Sequence, residues 1–211
     1  MHHALTRAYE LSDRLTERER LLTRATYYNA VTGEQDRAMA TYRTLLELYP
    51  AETTALNNLA VIHVDRGERG QAAELLRRAI QLDSTMSLYY TNLANQELNL
   101  GEWDAARQTV EALRRRFPDM LAAEHLMARI TWASGDFAGA EAALRRLLDH
   151  PRSLSGDRTE SLYGLTALTM LQGRAEEAFR HMARVREELE RSGGAMGPGQ
   201  DLQLRSYYLL L

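Results

Sequence analysis

Two pairs of chemically competent side chains stand 34 residues apart in this chain, Asn58 with Asn92 and His63 with Glu97. A carboxamide both donates to and accepts from a peptide backbone, so two of them in register can hold an extended segment whatever its side chains. The same amides also fit an account in which they pack one structural element against the next. A histidine stacked near a carboxylate is a hydrogen-bonded pair within a packed array, or a pH-responsive contact if the carboxylate raises its pKa. Covalent and metal chemistry have less to work with. The six histidines show no His-Glu-x-x-His spacing, and neither Gly-x-Ser-x-Gly nor a Gly-rich phosphate loop occurs. The chain therefore reads as a non-enzyme with no cofactor.

Whether such pairs meet depends on the elements that carry them. Gly33, Gly67, Gly101 and Gly135 recur every 34 residues, and each is followed five residues later by an alanine, Ala38, Ala72, Ala106 and Ala140. A fixed period of this length marks stacked helix-turn-helix units that bury a core only against their neighbours. Leu56, Leu59 and Ala60 before Gly67, and Ala72, Leu76 and Ala79 after it, put one apolar stripe on each helix of a unit. The period predicts an N-terminal helix in residues 1–18 and units at 19–52, 53–86, 87–120, 121–152 and 159–190, followed by a Gly-rich loop and a C-terminal capping helix in 191–211. Pro50 and Pro118 close their units, because proline cannot continue a helix. Between Gly135 and Gly173 the spacing grows to 38 residues, and the polar segment Arg152 to Arg158 is expected to form a longer loop that resets the angle of the fifth unit.

The run Leu-Asn-Asn-Leu-Ala at 56–60 and Gly-Glu-Arg-Gly-Gln-Ala-Ala at 67–73 recurs in register across the units, and with it residues 19–190 resemble the tetratricopeptide repeat (TPR) family. The resemblance implies an all-α fold, a right-handed superhelical solenoid of about five helix-turn-helix units with a terminal helix. Pentatricopeptide repeats share a similar period, but the Gly, Ala and Pro placement and the acidic balance disfavour them. Residues 8–50 carry a second resemblance. Leu15 to Arg20, Tyr27-Tyr28 leading to Gly33, and Leu48-Tyr49-Pro50 look like the entry to TPR arrays attached to bacterial serine/threonine kinases and winged-helix regulators, which implies a regulatory, sensing or oligomerisation region of a larger protein.

The family's register implies that the first helix of each unit lines a concave groove for a peptide or partner segment. It points there to Arg20, Thr23, Arg24 and Tyr27, to Asn57, Asn58 and Val61, to Asn92 and Asn95, to His125, Arg129 and Trp132, and to Tyr163 and Met170. From these, the peptide-binding set is Arg24, Tyr27, Asn57, Asn58, Asn92, Asn95, His125, Arg129, Trp132 and Tyr163. TPR domains that capture a chaperone C-terminus use cations beside an Asn pair. The corresponding places here hold Thr23, Tyr27, Asn58, Leu88 and Asn92, so the Asn pair remains and the cations do not.

The net charge of −3 gives no bulk attraction to nucleic acid or to an anionic membrane. Arg77-Arg78, Arg114-Arg115-Arg116 and Arg145-Arg146 are interrupted by Glu74, Glu111 and Glu141, which breaks any continuous basic stripe. All 26 basic residues are arginine, and the absence of cysteine excludes disulfides and thiolate metal sites. Without a signal peptide or an apolar stretch near the ~20 residues of a membrane span, the expected location is the cytoplasm, and it is left open if the chain is part of a longer membrane protein. The apolar Leu202, Leu204, Tyr207, Tyr208 and Leu211 leave three accounts open: a cap on the fifth unit, a truncated sixth unit, or a homodimer contact.

Overall fold

The structure, a computed structural model, describes residues 2–192. The expected C-terminal helix lies outside the described residues. Every regular element among them is helical, and they fall into two compact units divided between Leu113 and Arg114.

The first unit opens with α1 (His2–Glu10) and a short 3-10 turn (Ser12–Arg14), then α2 (Glu17–Tyr27), which runs on as one π-helical turn (Tyr28–Thr32). Helices α3 (Gln35–Leu48), α4 (Thr53–Asp65), α5 (Arg69–Leu82), α6 (Ser87–Leu100) and α7 (Trp103–Arg116) follow, the last running into the second unit. Thr16 starts α2 with a capping box, in which its amide donates to Glu19 Oε2 at 3.0 Å while its hydroxyl accepts from the Glu19 amide. The alanine rung sits where small side chains let paired helices touch: Ala38, Ala72 and Ala106 are each 0% exposed. Around the first of them Tyr42, Leu45, Ala55 and Ile62 form the core, and Leu76 and Leu93 continue it beside Ala72.

The glycine rung is a backbone requirement. Gly33, Gly67, Gly101, Gly135 and Gly173 have φ of 71°, 77°, 76°, 88° and 73°. An added Cβ would meet nothing within 4 Å at any of the five, so the left-handed conformation, and not space, calls for glycine. After Gly67 and Gly101 the next amide reaches back five residues, Glu68 N to His63 O at 2.8 Å and Glu102 N to Glu97 O at 2.9 Å. After Gly33 it reaches one residue further, Glu34 N to Tyr28 O at 2.8 Å, because the π turn spends an extra residue. A register counted strictly in steps of 34 is thus offset by one along α2.

The expected pairing of His63 with Glu97 is corrected. Both are buried, but His63 Nδ1 lies 2.5 Å from Glu68 Oε2, a carboxylate five residues along its own unit. Glu97 instead accepts from Arg77 Nη2 at 3.0 Å and Thr109 Oγ1 at 2.7 Å. Equal spacing made the two residues equivalent within their repeats, and each then took the polar partner offered by the helix packed beside it.

In the second unit, α8 (Ala122–Ala133), α9 (Phe137–Leu148), α10 (Ser155–Leu171) and α11 (Ala175–Arg191) pair in the same way. Asp136 caps α9 by accepting from the Gly139 amide at 2.8 Å. The expected loop over Arg152 to Arg158 is shorter than its sequence suggested, since α10 begins at Ser155. The four additional residues between glycines amount to about one helical turn, which lengthens α10 while keeping the same face inward. Ala128, Ala140, Leu144, Leu162, Leu165, Leu168 and Val185 make the core. Gly164 is fitted to it: a Cβ there would stand 2.8 Å from Leu144 Cδ1.

Candidate functional site

In the first unit, the register positions on α2 carry the N-terminal segment. Tyr27 stacks on Tyr9 of α1 with ring centroids 4.1 Å apart, and Arg24 donates from Nη2 to Asp13 Oδ1 at 2.7 Å and from Nε to Ser12 Oγ at 3.3 Å. Tyr28, the residue at the π turn, is held edge-on by Tyr9 and covered by the Arg37 guanidinium 4.1 Å from its ring centre.

The asparagines on α4 and α6 form a ladder across three successive helix pairs. Asn92 Nδ2 donates to Asn57 Oδ1 at 2.9 Å, Asn57 Nδ2 to Asn58 Oδ1 at 3.3 Å, and Asn58 Nδ2 to the Tyr42 hydroxyl at 3.1 Å. Thr26 on α2 completes it, 3.1 Å from the same hydroxyl. Tyr42 is fully buried, and burial raises its phenol above its ordinary value, so the hydroxyl stays protonated and holds its place in the chain of bonds. Asn95 turns back on its own helix, donating to Thr91 O at 2.9 Å. Two amides one repeat apart were expected as rungs for an outside backbone. Asn57, buried between them, links them to one another, and the ladder joins repeat to repeat.

The second unit treats the same register differently. His125, Arg129 and Trp132 on α8 and Tyr163 on α10 line one cavity of about 630 Å3. Ala128, Leu144, Ala167 and Leu189 supply apolar wall, while Gly156, Thr159, Glu160 and Gly164 complete the α10 side. Three hydroxyls there are bonded within the fold. Thr159 Oγ1 donates to Ser155 O at 2.7 Å, Ser155 Oγ to Glu188 O at 3.1 Å, and Ser192 Oγ to Leu189 O at 2.9 Å. Both ring nitrogens of His125, a residue 2% exposed, and the hydroxyl of Tyr163 are buried without a partner among the described residues. Burial raises the Tyr163 phenol above its ordinary value, which keeps the hydroxyl a donor. Met170, also assigned to this face by register, is absent from the cavity lining.

Leu144, Thr159, Gly164 and Ala167 were missed in reading the sequence. Gly164 was the available signal, a glycine inside a helix, where it costs about 1 kcal/mol relative to alanine and so implies a close approach. Among the described residues no helix is long and apolar enough to cross a membrane, and no three His, Asp or Glu side chains gather as a metal site.

Three models described as tetratricopeptide repeat match the chain, over residues 32–87, 63–130 and 121–146, together more than half of its 211 residues. No curated protein matches it. Among solved structures, a tetratricopeptide repeat protein from Parabacteroides merdae is similar, with a TM-score of 0.74 at 16% identity over 89% of this chain and 72% of its own. A thermophilic TPR protein of Thermus thermophilus gives 0.67 at 21% identity over 92% and 100%. MamA gives 0.61 at 17% identity over 85% and 98%. At these identities the likeness is one of fold. The family matches are to the repeat itself and lend nothing to the kinase and winged-helix resemblance of residues 8–50.

Proposed function

We propose that this chain, a tetratricopeptide-repeat protein by the matches across residues 32–146, is an interaction scaffold that takes a partner's peptide segment against α8 and α10 of its second unit. One observation carries the reading. Four register positions from two successive first helices, His125, Arg129, Trp132 and Tyr163, converge on a single cavity. Its lining mixes apolar side chains, such as Leu144 and Leu189, with polar ones, such as Arg129, Thr159 and Glu160, in nearly equal measure. The asparagine set of the first unit contributes rigidity to this reading, since its amides are engaged with one another. A regulatory region of a bacterial kinase or winged-helix regulator, the alternative implied by residues 8–50, has no geometric observation behind it.

Selection of binding peptides from a random display library against the full chain tests the reading. Selected peptides should lose about tenfold or more in affinity against a folded Trp132→Ala variant, as loss of a buried aromatic anchor does. They should bind Asn95→Ala unchanged. Recovery of no peptides, or of peptides indifferent to Trp132→Ala, removes the proposal.

A further inference from the structure

Where the start of α8 meets the end of α9, the second unit has another cavity, of about 270 Å3, that shares no lining residue with the one between α8 and α10. We propose that it binds a monocarboxylate group on a short apolar stem, the carboxylate held by Arg146 and the His150 imidazole and the stem bedded on Met120, Leu121 and Leu147.

Charge decides the class of ligand. Two of the three cations around the cavity are already matched, because Arg114 donates to Glu124 at 2.7 Å and Arg152 pairs with Asp119. Asp149, the next carboxylate along the chain, does not line the cavity. The Arg146 guanidinium has no hydrogen bond or ion pair among the described residues, so one positive charge in the lining is left without a counterion. A single carboxylate balances it. A phosphate dianion would leave a charge over in a half-enclosed place, an ammonium would be repelled, and a neutral amide would forgo the charge-assisted bond. The imidazole adds a directed donor. Since the Arg152 amide donates to His150 Nδ1 at 3.1 Å, the neutral ring carries its proton on Nε2, which is not among the enclosed, unpartnered polar atoms of the fold. Its turn is set beforehand, the His150 amide donating to Leu147 O at 3.2 Å and the Ser153 amide to His150 O at 2.9 Å. The remaining wall is apolar where Met120, Leu121 and Leu147 line it, and that surface is better covered by methylenes than by water.

The eight methionines can be labelled with carbon-13 at their methyl groups, and the Met120 signal is assigned by its loss in Met120→Leu. Butyrate, butyramide, butylammonium and propyl phosphate, the last largely a dianion at about pH 7.5, are then titrated into the full-length protein. Butyrate should move the Met120 signal saturably, at concentrations about fivefold below those butyramide needs, as a charge-assisted bond in a half-open site allows. Butylammonium should be weaker than either, and propyl phosphate no tighter than butyrate. Arg146→Gln, which takes no partner from the fold among the described residues, should abolish the advantage of butyrate over butyramide. Butyramide acting as strongly as butyrate, tighter binding of propyl phosphate, or a preference that survives Arg146→Gln overturns the proposal. An acetylated and amidated Ala-Glu-Ala peptide distinguishes the sources of the carboxylate. Binding of the peptide at butyrate concentrations or below supports the site as one for an acidic side chain of a partner, and binding of butyrate alone supports it as one for a free short-chain acid. Neither result bears on the peptide selection, which turns on Trp132 in the other cavity.

Discussion

The inner positions of the first unit are filled with polar groups that satisfy each other, and the corresponding positions of the second unit keep polar groups that the protein leaves unsatisfied. In the first, Asn92, Asn57, Asn58, Tyr42 and Thr26 form one chain of hydrogen bonds. In the second, His125 and Tyr163 are as thoroughly enclosed at their polar atoms and bond to nothing among the described residues. One repeat register can therefore serve two ends. Where facing residues are short amides, they reach each other and tie repeats together. Where a small residue such as Gly164 lets a large one such as Leu144 approach closely, polar tips such as those of His125 and Tyr163 are enclosed without a partner among the described residues.

The sharpest way to break the contrast is at the centre of the ladder. Asn57→Ala removes the acceptor for Asn92 and the donor to Asn58 at once, and should cost about 2–3 kcal/mol in denaturant unfolding followed by circular dichroism. A loss no larger than that of an exposed substitution would show that the amides are not structural and return them to the binding surface.

Next in size, Glu97→Ala should cost about 2 kcal/mol, because it takes a buried acceptor from Arg77 and Thr109. Combined with His63→Ala, its effect should be additive, since His63 bonds Glu68 instead. A coupling energy near 1 kcal/mol in that double-mutant cycle would restore the direct pair that the structure replaces.

A smaller effect should appear on acidification. Arg174 and Arg145 hold the Glu141 carboxyl below its ordinary value of 4.5, and Arg145 does the same for Glu177. Carboxyls depressed in the folded state stabilise it above the ordinary value, and that contribution drains away as pH falls through the folded one. Glu141→Gln should flatten the loss of stability below pH 4.5 by under about 1 kcal/mol, a surface network being partly screened. An unchanged acid limb would mean that the network contributes nothing.

The smallest expected change is the most telling about the cavity. Tyr163→Phe should leave stability within about 0.5 kcal/mol or raise it slightly, because the deleted hydroxyl has no partner to abandon. A loss approaching that of Asn57→Ala would show that the hydroxyl is engaged within the fold, and the two inner faces would no longer differ.

Much of this arrangement was legible in advance, for reasons that can be named. Five glycines take positive φ because a helix that must turn sharply after its last residue requires a left-handed conformation, and that requirement is written in residue type. Alanine at the close approach is written in the same way. Convergence of His125, Arg129, Trp132 and Tyr163 was implied by the family register, because helix periodicity carries side chains three, four and seven residues apart onto one face. Less could be read where one residue changed the count. The π turn at Tyr28 alters how the residues of α2 map onto faces, and it bears no distinctive composition.

The sequence by itself determined the period, the helical units and the turns between them, because backbone conformation and apolar spacing are local properties of the chain. Tertiary structure alone decided which polar group met which. Asn92 met Asn57, one residue off the expected rung, and His63 met Glu68. Hydrogen bonds form or fail over fractions of an ångström, set by helix packing and side-chain rotamers. A 34-residue spacing places two side chains in equivalent positions without bringing their atoms together.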